Sequence, residues 1–94
     1  MRLFESKKAL SDKLKIKKDY PKSTQKRLVR MVKEMLETPF EGIGKPEPLR
    51  YELAGMWSRR LTDSERIVYY VEGNALKTVR YLSHYADIPA CSAL

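Results

Sequence analysis

The sequence predicts an α+β fold: two N-terminal helices packed on an antiparallel β-sheet of mostly meander order. Three observations predict it. Leu28, Met31, Val32, Met35 and Leu36 fall at i, i+3, i+4, i+7 and i+8, a single helical stripe. From Leu49 onward the apolar period changes to two, in segments rich in β-branched and aromatic residues. Between the two regimes lies a loop, Pro39 to Pro48, punctuated by Gly42, Gly44, Pro46 and Pro48.

In chain order, Met1 to Phe4 is a candidate first strand. Ser6 to Lys18 is lysine-rich, with Leu10 and Leu14 one helical turn apart, and reads as a short amphipathic helix with a thin apolar stripe. Asp19 to Ser23 breaks it, and Pro21 or Ser23 suits the start of the second helix. That helix carries the stripe above and leaves Arg27, Arg30, Lys33, Glu34 and Glu37 for solvent. Thr38-Pro39 ends it, because a residue before proline disfavours the helical region. Four strands follow: Leu49 to Leu53, Met56 to Leu61, Glu65 to Val71 and Leu76 to Tyr85. Ala54-Gly55, Thr62 to Ser64 and Gly73-Asn74 supply the turns. Residues 86–94 read as a tail on a single domain, 1–94. The helices can cover one sheet face, leaving an open face with many basic side chains.

A chain of 94 residues builds one modest core. Its formal net charge of +7 favours an anionic partner, which could be nucleic acid, an acidic protein or an anionic membrane surface. No apolar run approaches transmembrane length, and the start lacks the apolar region of a secretory signal, so no membrane partner and a cytoplasmic location are expected. The single cysteine, Cys91, excludes an internal disulfide and fits a reducing compartment. No HxxxH, CxxC or tight carboxylate cluster points to a metal, and no cofactor is expected.

The polar residues suggest chemistry without deciding it. Pro48 pushes Glu47 into an extended backbone and Pro46 fixes its own φ, so a carboxylate stands on a stiff stem. The flanking Lys45 and Arg50 favour its ionised form, which can accept a proton. His84 is the lone histidine, so no mechanism with two histidines fits within one chain. Arg59, Arg60 and Arg66 suit bidentate phosphate binding. Trp57, Tyr69, Tyr70, Tyr81 and Tyr85 offer rings on which bases can stack, or else fill the core. Metal-free RNA cleavage, in which a 2′-hydroxyl attacks the adjacent phosphorus, is one option among three. An RNA-binding protein that keeps the fold without the chemistry is an alternative.

The run from Pro39 to Leu49 (PFEGIGKPEPL), then Leu53 to Arg60 (LAGMWSRR), Arg66 to Tyr69 (RIVY) and the pair His84-Tyr85 resemble the YoeB (Txe) toxins of the RelE superfamily. The resemblance implies a microbial-ribonuclease-like α+β fold and a toxin that cuts mRNA in the ribosomal A site. Its implied partners are the ribosome and mRNA, a cognate YefM-type antitoxin and operator DNA only through the antitoxin complex, with a homodimer left open. It makes Glu47 the general base, His84 the general acid, Arg66 the stabiliser of the phosphate transition state and Tyr85 a residue that positions RNA. Lys45, Arg50, Arg59 and Arg60 would contact phosphate. The chain departs from the family pattern in its lysine-rich first helix and in the nine residues after Tyr85.

One geometric expectation follows. Arg66 and His84 must share a sheet face to share a phosphate. A two-residue turn at Gly73-Asn74 alone would set them on opposite faces. An odd-length loop or a bulge is therefore expected between Val71 and His84.

Overall fold

The computed structural model describes residues 1–84; Tyr85 and the expected tail, 86–94, lie outside the described residues. The elements are β1 (Arg2–Glu5), α1 (Lys7–Asp19), α2 (Lys22–Glu37), β2 (Glu47–Pro48), β3 (Trp57–Arg60), β4 (Glu65–Glu72) and β5 (Ala75–His84). The fold is α+β as expected, with strand order β1-β5-β4-β3-β2.

Strands β2 to β5 form the antiparallel meander. The sheet as a whole is mixed, however, because β1 pairs parallel to β5, with Arg2 opposite Ala75 and Glu5 opposite Thr78. Ser6 ends that ladder. Its N–H donates to Thr78 O at 3.0 Å and its hydroxyl to Val79 O at 2.6 Å, while its Oγ accepts Ala9 N–H as the α1 N-cap. From there α1 takes over the edge of β5 that β1 leaves. Asp12 Oδ2 accepts the successive N–H groups of Tyr81 and Leu82 at 3.0 and 3.1 Å, and Arg80 donates to both carboxylate oxygens.

This contact decides which side of α1 is inside. Ala9, Asp12 and Ile16 are buried, whereas Leu10 and Leu14 are exposed, so the apolar pair expected to form the packed stripe faces outward. In α2 the expected stripe holds: Leu28, Met31 and Met35 are buried, and Val32 and Leu36 pack beside them. They meet Ile67, Tyr69, Leu76 and Tyr81 from the sheet in the main core. Two α2 residues expected in solvent are instead engaged. Arg27 donates to the Leu61 and Arg60 carbonyls, and Glu34 binds Arg59.

The expected strand Leu49 to Leu53 is not one. The strand is Glu47–Pro48, and Tyr51–Leu53 forms one turn of 3-10 helix. Tyr51 has φ +58°, which breaks extended pairing. The turn closes on itself through Leu53 N–H to Arg50 O and Met56 N–H to Leu53 O, and Leu49 N–H reaches Met56 O. This folds Leu53 and Met56 over Leu49, Val68 and Val79, making a second small apolar cluster on the face away from the helices.

Candidate active site

The loop between α2 and β2 is held from below by Arg59. All five of its guanidinium N–H groups are used. Nε donates to Tyr69 Oη at 3.1 Å, Nη1 to Glu34 Oε1 at 2.7 Å and Ile43 O at 3.3 Å, and Nη2 to Thr38 O at 2.6 Å and Glu41 O at 2.9 Å. Tyr69 Oη in turn donates to Pro39 O at 2.7 Å. The Ile43 N–H and then the Arg59 guanidinium hold the Glu34 carboxyl below its usual range. Arg59 is completely buried. Its expected role as a phosphate contact is therefore corrected: it ties the loop to the sheet, and its donors are already spent.

Two glycines let the loop come this close. A Cβ on Gly42 would overlap the Glu34 carboxylate. A Cβ on Gly44 would stand 2.8 Å from both Arg60 O and Met31 Cε, and its φ of +83° is left-handed. Gly44 O accepts Arg60 N–H at 2.6 Å, locking the loop to β3 just ahead of Glu47. Lys45 follows with φ +50°, a strained value for a side-chain-bearing residue.

Glu47 then pairs with Ser58, and Ser58 with Val68, so all three stand on the open face. Arg66, two residues before Val68 in β4, shares that face. Its Nη1 donates to Ser58 Oγ at 3.0 Å and lies 3.6 Å from Glu47 Oε2. Arg66 is 1% and Glu47 17% exposed in their side chains, so the ion pair is largely screened from water. Glu47 Oε2 itself is buried and accepts no hydrogen bond among the described residues. Ser58 is a residue the sequence reading did not single out. Its place between Trp57 and Arg59 was visible, but its role depends on the β2–β3–β4 register.

The expected bulge between Val71 and His84 is present, and so is a second one. The hairpin turn is the two-residue Gly73-Asn74, with Glu72 opposite Ala75. The register then shifts between Tyr69 and Val68 and again between Val68 and Arg66. Both extra residues lie in β5, and two shifts restore the original alternation. Arg66 is therefore opposite Ser83, and His84 is opposite Glu65. Glu65 accepts the Tyr20 hydroxyl on the helix side. By the ladder His84 and Arg66 stand on opposite faces, so strand pairing does not meet the condition for sharing a phosphate; His84 reaches the open face only at the strand end, beside Val68 and Ser83. His84 is exposed at the end of β5 and borders a depression of about 370 Å³ whose lining includes Leu53, Met56, Val68, Val79 and Ser83.

The remaining expected residues divide clearly. Arg60 pairs with Arg66, shares its face and is exposed. Lys45 is exposed and Arg50 half-buried, on either side of Glu47. Tyr85 lies outside the described residues. Among the rings considered for base stacking, Tyr69 and Tyr81 are fully buried in the main core, and Trp57 packs on Phe40 with centroids 4.8 Å apart.

A family profile described as the YoeB-like toxin of the bacterial type II toxin-antitoxin system matches residues 6–85. The chain belongs to that family. The YoeB toxin of Escherichia coli strain K12 is 44% identical to it over 70 residues, 70% of this chain and 83% of that protein. Among solved structures, a YoeB/ParE toxin from Agrobacterium tumefaciens superposes with a TM-score of 0.84 at 32% identity, covering 90% of this chain and all of that one. The YoeB–YefM heterotetramer of Staphylococcus aureus contains a chain that matches with a TM-score of 0.79 at 31% identity, over 90% of this chain and 98% of that one. The YoeB family places this chain as the toxin of a type II toxin–antitoxin system in the YoeB/RelE group. Among the described residues, no helix is long and apolar enough to cross a membrane.

Proposed function

We propose that this YoeB-family toxin is a ribosome-dependent endoribonuclease that cuts mRNA in the A site. The carrying observation is the Glu47–Arg66 pair, a carboxylate and a guanidinium 3.6 Å apart on the open face. Glu47 Oε2, which accepts no hydrogen bond among the described residues, removes the proton of a 2′-hydroxyl. The 2′-oxygen attacks the adjacent phosphorus, and the bond from phosphorus to the 5′-oxygen breaks. His84 gives its proton to that departing oxygen, leaving a 2′,3′-cyclic phosphate and a free 5′-hydroxyl. Arg66, steadied by Ser58, balances the charge that gathers on the phosphate. Arg60, Lys45 and Arg50 bind neighbouring phosphates, and Tyr85 positions the RNA.

A YefM-type antitoxin is the proposed partner, as in the S. aureus complex, and the S. aureus YoeB dimer supports a homodimer. Operator DNA is reached only through the antitoxin complex. Controlled expression with primer extension on a reporter mRNA tests the activity. Wild type should produce discrete stops within codons, and His84→Ala should abolish them. Identical stops from both proteins would remove His84 from the reaction, and stops from neither would leave RNA or ribosome binding without cleavage.

A further inference from the structure

The depression bordered by His84 has no place in the mechanism so far. From its position and chemistry we infer that it is a nucleobase subsite, holding the base of the nucleotide on the 3′ side of the cleaved bond. The inference rests on the assignment of Glu47 as base and His84 as acid.

Position comes first. Glu47, Ser58 and Val68 form one row of consecutive pairs across β2, β3 and β4. Two strand spacings, about 10 Å in all, separate the carboxylate's backbone from Val68 on the depression floor. One nucleotide can bridge that distance. Its direction follows from the chemistry. In 2′-hydroxyl attack the base acts on the 5′ nucleotide, whereas the acid meets the 5′-oxygen of the 3′ nucleotide. His84 borders the depression and Glu47 does not. The base beside the depression therefore belongs to the 3′ nucleotide.

The lining fits a base better than a phosphate. Leu53, Met56, Val68 and Val79 give an aliphatic wall, and Leu53, Met56 and Val79 are only partly covered. Arg80, also at the depression, is bound through two nitrogens to Asp12. Ser83 offers one hydroxyl that can donate to or accept from a base edge. A flat heteroaromatic ring loses little by leaving water for such a wall, and an anion would lose much. Tyr69 and Tyr81 are buried in the opposite core, so neither ring is open to a base here, and among the described lining residues the aliphatic side chains supply the contact.

The test compares ribosome-bound mRNA carrying a normal base 3′ of the cleaved bond with the same mRNA carrying an abasic ribose there. In single-turnover cleavage, wild type should cut the abasic mRNA more slowly by about 5-fold or more, the lower end for losing one stacked base. Met56→Ala combined with Val79→Ala should slow the normal mRNA and leave the abasic rate unchanged. If that double variant melts before assay, Met56→Ser alone makes the same comparison. Equal wild-type rates on both mRNAs, or equal slowing of both by the variant, would overturn the subsite. Should wild type cleave neither mRNA, the nuclease reading fails separately. The subsite is then judged by 2-aminopurine fluorescence in an oligonucleotide with a 2′-deoxy sugar at the attack position. A change on binding that Met56→Ala removes supports it, and no change overturns it.

Discussion

Arg59 Nη1 lies 2.7 Å from Glu34 Oε1, and through that contact α2 holds the loop that leads to Glu47. The neighbouring Arg60 makes no such anchor with its side chain and stands exposed on the other face. Two adjacent arginines in one strand thus serve different ends. Arg59→Ala should destabilise the fold by roughly 3–5 kcal/mol, because it leaves the Thr38, Glu41 and Ile43 carbonyls without their donor, at about 1–3 kcal/mol for each one buried. Arg60→Ala should leave the melting temperature near wild type and reduce the salt slope of RNA or ribosome association by about 1. Urea titration and binding across a salt series separate the two. An Arg59→Ala protein of wild-type stability would show that the loop is held by other means.

Glu47→Gln keeps the side-chain shape and removes the proton affinity. Single-turnover cleavage of ribosome-bound mRNA should slow roughly 100- to 10,000-fold. Binding should hold or tighten, because a negative charge disappears beside Lys45, Arg50 and Arg66. A structural glutamate would behave otherwise, with activity falling only in step with the folded fraction. Cleavage by Glu47→Gln at the wild-type rate would remove Glu47 as the base.

Gly44→Ala should lower stability by more than about 1 kcal/mol, since its φ is left-handed and the new methyl group meets Arg60 O. The loss should reach Glu47 three residues on, so the cleavage rate of the folded protein should fall too. Gly73→Ala is the control. Its φ is also positive, at +60°, but a Cβ there meets nothing within 4 Å and the turn is remote from Glu47. It should cost stability alone.

Asp12 predicts a pH dependence. Burial raises its pKa, but the Arg80 side chain, followed by the Tyr81 and Leu82 N–H groups, outweighs burial and holds it below the ordinary 3.8. A carboxylate whose folded pKa is depressed adds stability above its unfolded value, and that stability is lost as pH falls through the folded value. Asp12→Asn should therefore melt below wild type at neutral pH by the equivalent of roughly 1.5–3 kcal/mol. The gap should narrow as pH falls below 3.8. A gap that stays constant into acid would mean that the charge of Asp12 contributes nothing.

Much of this was legible in the residues themselves. The α2 stripe, the turn at Gly73-Asn74 and the stiff stem of Glu47 depend on local spacing, and local spacing is what a sequence displays. The division between Arg59 and Arg60 was only half visible. Strand alternation says that one points each way, but which one goes inside depends on the pairing of Arg59 with Ile67 and Arg60 with Arg66. The outward turn of Leu10 and Leu14 was hidden for a similar reason. An aspartate makes a poor core residue until two bulged N–H groups and an arginine are placed beside it, and those lie about 70 positions away. The second β5 bulge left no mark in composition, and it alone moved His84 from the ladder position facing Arg66's side.

The parallel pairing of β1 with β5 bears on when the protein can act. The first strand to leave the ribosome finds its neighbour only when Ala75 to Thr78 has emerged. Long-range pairing of this kind makes folding slow and late. The acid proposed for the reaction sits at the far end of that same β5. A nascent toxin therefore has neither a closed sheet nor a full set of reactive groups while most of its length is already synthesised. On the mechanism proposed above, cleavage has to wait until β5 has docked beside β1.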